Sequence, residues 1–319
     1  VIVKAKSYTT SLFGKLFRVL VTVLVIGTLF AWSLLLPVQA DSNYLQAGVD
    51  RMLSGDFPAA IASFSKSIDR KLNLNSAYAN RCLAYLQIQK YDQAIDDCTI
   101  AINNYNNLES SLNRGLAYFH TGKYQNAIAD FDRILITNPD YRAYYNRGLA
   151  KFALRQLPEA IADYDLALAV IEQNNPQLSE IYNERGLTYF FLKDLDTALQ
   201  NYAQAIVANS NSDRAYFNRG CAYQSQRNYA LAANDFSQAL NINSHNPEAL
   251  MNRAIAFRNL GKKSQAITDL NTAAQEFLAQ GLVDDYNYAL DLATQLGDRD
   301  SSAIAYSALT ILKNGTTIR

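Results

Sequence analysis

Along most of the chain, apolar and small residues return every three or four positions for about a dozen residues, stop at a short polar break, and resume with the same spacing. That period belongs to one face of a helix, and so short a break between two such runs reads as a reversal. The stretch Asn113-Arg-Gly-Leu-Ala-Tyr-Phe-His-Thr-Gly-Lys-Tyr-Gln-Asn-Ala-Ile-Ala-Asp-Phe131 carries the pattern in full. Gly115, Tyr118, the Gly122-Lys123 break and a second apolar run from Ala127 predict two short helices folded back on each other.

The pattern recurs. Ala60, Ala94, Ala127, Ala160, Ala198, Ala232 and Ala266 mark the second helices at steps of 34, 33, 33, 38, 34 and 34 residues. The small residues Gly48, Cys82, Gly115, Gly148, Gly186, Gly220 and Ala254 mark the first helices at the same steps. A third series is large: Phe64, Cys98, Phe131, Tyr164, Tyr202, Phe236 and Leu270. Markers in one register are the signature of a repeat array, where each hairpin buries its apolar face on its neighbours.

On these residues the chain resembles the tetratricopeptide repeats, whose period is about 34 residues and whose pattern places Tyr, small and aromatic residues at such offsets. The resemblance covers about Asp41 to Gly281, in seven hairpins. It implies an all-α fold, a right-handed solenoid of antiparallel helix pairs, with a concave groove that receives a partner polypeptide. It is specific for fold and weak for function, because the family binds many unrelated partners. Beyond Gly281 the markers fade, yet Val283 to Leu296 and Ser302 to Leu312 keep a helical period, so 282–319 is expected to cap the stack as a degenerate repeat. The step of 38 places extra residues around Ile171 to Ser179, as a longer helix or a projecting loop.

Charge changes the picture at the amino end. Lys4, Lys6, Lys15 and Arg18 precede Val19 to Leu36, eighteen residues without a charge, and then Pro37-Val38-Gln39-Ala40-Asp41. Residues 1–40 therefore read either as a secretory signal cut after Ala40 or as a retained anchor over Val19 to Leu36, the repeats crossing the membrane in both cases and becoming periplasmic or luminal. The remainder holds 25 basic against 29 acidic side chains, a mildly acidic balance that argues against nucleic acid as a partner.

Two polar series run through the repeats. Arg81, Arg114, Arg147, Arg185, Arg219 and Arg253 occupy one position of the first helix, and Asp97, Asp130, Asp163, Asn201, Asp235 and Asp269 one position of the second. In the first repeat both disappear together, as Ala47 and Ser63, which predicts structural ion pairs clipping the hairpins. On that reading Asp130→Ala is expected to cost more stability than Asp140→Ala. Asn80, Asn113, Asn146, Asn218 and Asn252 form the other series, on a face turned away from the packed side of the hairpin. The resemblance implies that this face lines the groove, where a row of Asn looks like the ladder some members use to hold a peptide backbone. Phe119, Tyr145, Phe152, Phe190 and Phe217 lie on the same broad face, partly as inter-repeat core and partly as contacts for partner side chains.

The family's carboxylate clamp is not matched, because Leu45 and either Ser76 or Glu109 stand at its Lys positions, although Arg142 and Arg214 are single candidates for a carboxylate. His120 and His245 have no ligand spacing around them, so no metal, cofactor or enzyme activity is expected. Cys82 and Cys98 are expected to fill space as small apolar groups, with a disulfide as the alternative in an exported chain, and Cys221 has no obvious mate. The expected function is capture of another protein or extended peptide in the groove. The alternative is a membrane-held scaffold for envelope or photosynthetic-type complexes that uses convex or edge surfaces.

Overall fold

A computed structural model describes residues 43–297; the amino-terminal leader and the helix expected over 302–312 lie outside the described residues. Every regular element among the described residues is an α-helix, and the helices pack in sequential pairs as the repeat period predicts. The chain divides into two compact units at Arg133 and Ile134. The first holds α1 (Asn43–Leu53), α2 (Phe57–Asp69), α3 (Leu74–Gln87), α4 (Tyr91–Tyr105), α5 (Leu108–His120) and most of α6 (Tyr124–Leu135). In the second, α7 (Tyr141–Ala153), α8 (Leu157–Val170), α9 (Leu178–Phe191), α10 (Leu195–Ala208) and α11 (Asp213–Ser225) lead the order. They are followed by α12 (Tyr229–Ile242), α13 (Pro247–Asn259), α14 (Lys263–Ala279) and α15 (Val283–Gln295).

Seven of these helices begin where a short polar side chain accepts a hydrogen bond from an otherwise unpaired backbone N–H. Asp56, Asn107, Asp140, Asp194, Ser212, Asn228 and Asn246 do this. Within each hairpin the reversal passes through one left-handed residue. Glycine holds that place at Gly122 and Gly261, with φ of +73° at each, whereas Gln89, Arg155, Lys193 and Arg227 adopt it with side chains.

Closure of the pairs rests on the small and large series. The ring of Phe131 lies against Gly115 so closely that a Cβ there would sit 2.5 Å from it, and the Tyr164 ring leaves 2.6 Å at Gly148. Phe64, Phe131, Tyr164, Tyr202 and Phe236 are all fully buried in this way. The second hairpin solves the same problem differently: Cys82 and Cys98, 16 residues apart like the other pairs, are joined as a disulfide with their Cα atoms 5.5 Å apart. The expectation of two separate apolar thiols is corrected here, because the position that elsewhere admits an aromatic ring onto a glycine brings two Cys Cα atoms within bonding range.

The extra residues at 171–177 form a loop, not a longer helix, pinned at both ends by buried Ile171 and Leu178. At the far end α15 lays Tyr286, Ala289 and Leu290 onto α14 and completes a core with Ala273, Ala274 and Phe277. No helix among the described residues is long and apolar enough to cross a membrane.

Candidate functional site: two polar faces of the helix pairs

The arginine series lies between the helices of each hairpin. Nε and Nη2 of Arg81, Arg114, Arg147, Arg219 and Arg253 donate in parallel to both carboxylate oxygens of Asp97, Asp130, Asp163, Asp235 and Asp269, at 2.5–2.9 Å. Each acid is buried, and the hydrogen bonds donated to it, outweighing burial, hold Arg81, Arg114 and Arg219 above the usual guanidinium value. Nη1 reaches back to Ser65 from Arg81, to Thr99 from Arg114 and to Ser237 from Arg253, so one guanidinium ties a hairpin to the second helix before it. In the first hairpin, Arg51 donates to Ser63 Oγ and to the Ala59 carbonyl. The repeat register hides this substitute, because Arg51 stands one turn beyond the place of Ala47.

The asparagine series lies on the first helices of the hairpins. Asn80 and Asn113 are half-buried and make no side-chain hydrogen bond to the described residues. In the second unit the amides are engaged: Asn146 and Asn252 donate to carbonyls one turn back, Arg142 O at 2.7 Å and Glu248 O at 2.9 Å. Gln224 donates to Asn252 Oδ1, and Asn218 donates across helices to Asn183 Oδ1 at 2.9 Å. None of the five is fully sealed from solvent.

Beside Asn218 lies a network that sequence reasoning missed. Glu184, at the asparagine position of α9, is only 4 % exposed, and Arg214 Nη2 pairs with it at 2.5 Å while Nη1 holds Glu180 at 3.2 Å. Burial raises the Glu184 carboxyl above the usual range, and Arg214 opposes that shift. Arg142 pairs with Asp140 at 2.7 Å. Both arginines set aside as carboxylate sites therefore already hold carboxylates of this chain, a correction that follows from the cost of leaving a half-buried cation without an acid. A departure from Asn at position 184 was the available signal, but its partner lies in the next hairpin.

The aromatic residues on this side are half-buried and largely occupied with packing. Phe217 sits against Phe236 and the cores of two neighbouring hairpins, Tyr145 and Phe152 flank the core of α8, and Phe190 that of α10. Phe119 meets His120 and Tyr124 edge-on. His120 stacks on Tyr91, and His245 meets Glu276 at 2.8 Å. Burial pushes the Cys221 thiol up to about 12, which leaves it unreactive as a thiolate near neutral pH.

Models described as tetratricopeptide repeat match residues 80–141, 112–179, 179–211, 213–246 and 248–277. No curated protein matches the chain. Among solved structures, Cut9 with Hcn1, from an APC/C hetero-tetramer, is 17 % identical with a TM-score of 0.60, covering 77 % of this chain and 48 % of its own. Pseudomonas aeruginosa pilF is 15 % identical with a TM-score of 0.58, covering 67 % of this chain and 96 % of its own. Both likenesses concern the fold. With the hairpins, their register and these matches in agreement, the chain belongs to the tetratricopeptide repeat family.

Proposed function

We propose that this tetratricopeptide protein–protein interaction module captures an extended segment of a partner polypeptide on the face built by its first helices, after export across a membrane. The observation that carries the reading is the pair Asn80 and Asn113, one repeat apart, half-buried and with their amides unengaged among the described residues. Such an amide offers a donor and an acceptor to a peptide unit whatever its side chain, so a row of them suits main-chain recognition. Within the second unit, Asn146, Asn218 and Asn252 offer the same amide chemistry by exchanging the bonds they now make. The mechanism is recognition, without turnover.

Export is supported by the basic leader with its uncharged run, and by the Cys82–Cys98 disulfide, since such bonds persist in oxidising compartments. A second reading, the scaffold that works through its second helices, is favoured by the exposure there of Val207, Leu166 and Val170.

A photo-reactive phenylalanine analogue separates the two. Placed at Leu116 on α5, it is expected to cross-link a peptide selected from a random library for binding to the full chain; placed at exposed Gln125 on α6, it is not. Cross-linking from 125 and not from 116 would transfer the contact to the second helices.

A further inference from the structure

The ladder of guanidinium and carboxylate is broken at one rung, and a cavity opens at the break. In α9 and α10 the acid is replaced by Asn201, whose Oδ1 accepts from Arg185 Nε at 2.7 Å while its Nδ2 turns away to the Thr197 carbonyl at 2.8 Å. Arg185 Nη1 pairs with Asp165 of the preceding hairpin, a carboxylate that is 54 % exposed. No acceptor among the described residues takes Nη2, the nitrogen that the five other rungs satisfy with an aspartate oxygen.

A cavity of about 530 Å³ lies directly against this group. Arg185 and Tyr189 line it from α9, and Thr197, Gln200 and Gln204 from α10, so its wall combines one cation, neutral hydrogen-bonding groups and a ring. A guanidinium prefers to present Nε and its neighbouring Nη as a fork to two oxygens of one carboxylate, and here half of the fork is open. Asp165 balances the charge from the other side but is largely in water, where an ion pair contributes little.

We propose that this cavity is a carboxylate-binding site, in which Arg185 Nη2 takes an oxygen of an incoming carboxylate where five other hairpins supply their own aspartate, with Gln200 and Gln204 donating beside it. The site lies on the second-helix side and is independent of the asparagine face. The carboxylate belongs either to an acidic side chain of a bound protein or to a free small acid.

Calorimetric titration of the full chain tests the site with glutarate, benzoate and a blocked glutamate tripeptide, each beside its uncharged amide counterpart. At least one carboxylate is expected to bind at least tenfold more tightly than its amide. Asn201→Asp restores the missing rung within the hairpin and is expected to weaken that binding at least tenfold while the chain stays helical. Asp165→Asn removes the competing acid and is expected to tighten it several-fold. Tighter binding of the tripeptide identifies a protein side chain as the source, and tighter binding of glutarate or benzoate a small acid. Equal binding of acids and amides, no binding by any probe, or unchanged carboxylate affinity in Asn201→Asp would overturn the proposal.

Discussion

Asp130 and Asp92 are both acids of short second helices in the first unit, and their surroundings give them opposite weights. Asp130 is 6 % exposed and bound twice by Arg114, whereas Asp92 is 84 % exposed and lies 4.0 Å from Lys123. Truncating the first strands a half-buried guanidinium, so Asp130→Ala is expected to cost about 3–5 kcal/mol, against about 1 kcal/mol or less for Asp92→Ala. Urea unfolding of the two variants checks this, and equal losses would refute the clip. Asp140, first chosen as the exposed comparison, is unsuitable, because it caps α7 and pairs with Arg142. Glu184 makes a second prediction at this scale. Because burial raises its carboxyl despite Arg214, the folded chain keeps a proton that the unfolded chain releases near the ordinary value of 4.5. Its contribution to stability is therefore largest below that value and declines as pH rises through the folded one. Relative to Glu184→Gln, the wild-type chain should lose stability as pH rises above the ordinary carboxyl value of 4.5; a gap constant with pH would contradict the assignment. The ion pairs were legible because Arg and Asp vanish together in the first repeat. Arg51 and the Glu184 network were not, since Arg51 and Arg214 both stand outside the position that the arginine series defines.

At the scale of the element, helix positions were legible because capping residues and turn residues fall at fixed offsets from the apolar stripe. The Ile171 to Ser179 segment was not decided by its sequence, since an apolar residue at each end suits a longer helix as well as a pinned loop. The second hairpin was misjudged for a clearer reason. Its two cysteines share the 16-residue spacing of the glycine and aromatic pairs, so the near approach was present in the sequence, but the volume argument treated them as separate fillers. A cross-link closing that loop stabilises by about 3 kcal/mol, chiefly through the unfolded chain. Reductant should lower the melting temperature by several degrees in the wild-type chain and leave the Cys82→Ala, Cys98→Ala double variant unmoved. Identical melting of the wild type with and without reductant would count against the bond.

At the scale of the whole molecule, the period identified the fold and the family, yet it runs through Arg133 and Ile134 without a mark, so the division into two units was invisible in it. The units also differ in how they hold their asparagines. In the first, Asn80 and Asn113 keep their amides unengaged among the described residues, and in the second the equivalent residues are bonded to neighbouring groups. Side-chain identity along the chain is nearly uniform in this series; Asn146 and Asn252 are engaged by carbonyls one turn back in their own helices, and Asn218 by Asn183 of a neighbouring one. Partner capture should therefore depend most on the first unit. The direct measurement is the fluorescence anisotropy of a labelled extended peptide, selected on the full chain, titrated into the wild type and into the Asn80→Ala, Asn113→Ala variant. With each lost amide contact costing about 1 kcal/mol, affinity is predicted to fall about tenfold or more while the helical signal stays unchanged. Equal affinity for the two chains, at equal helicity, would contradict the account.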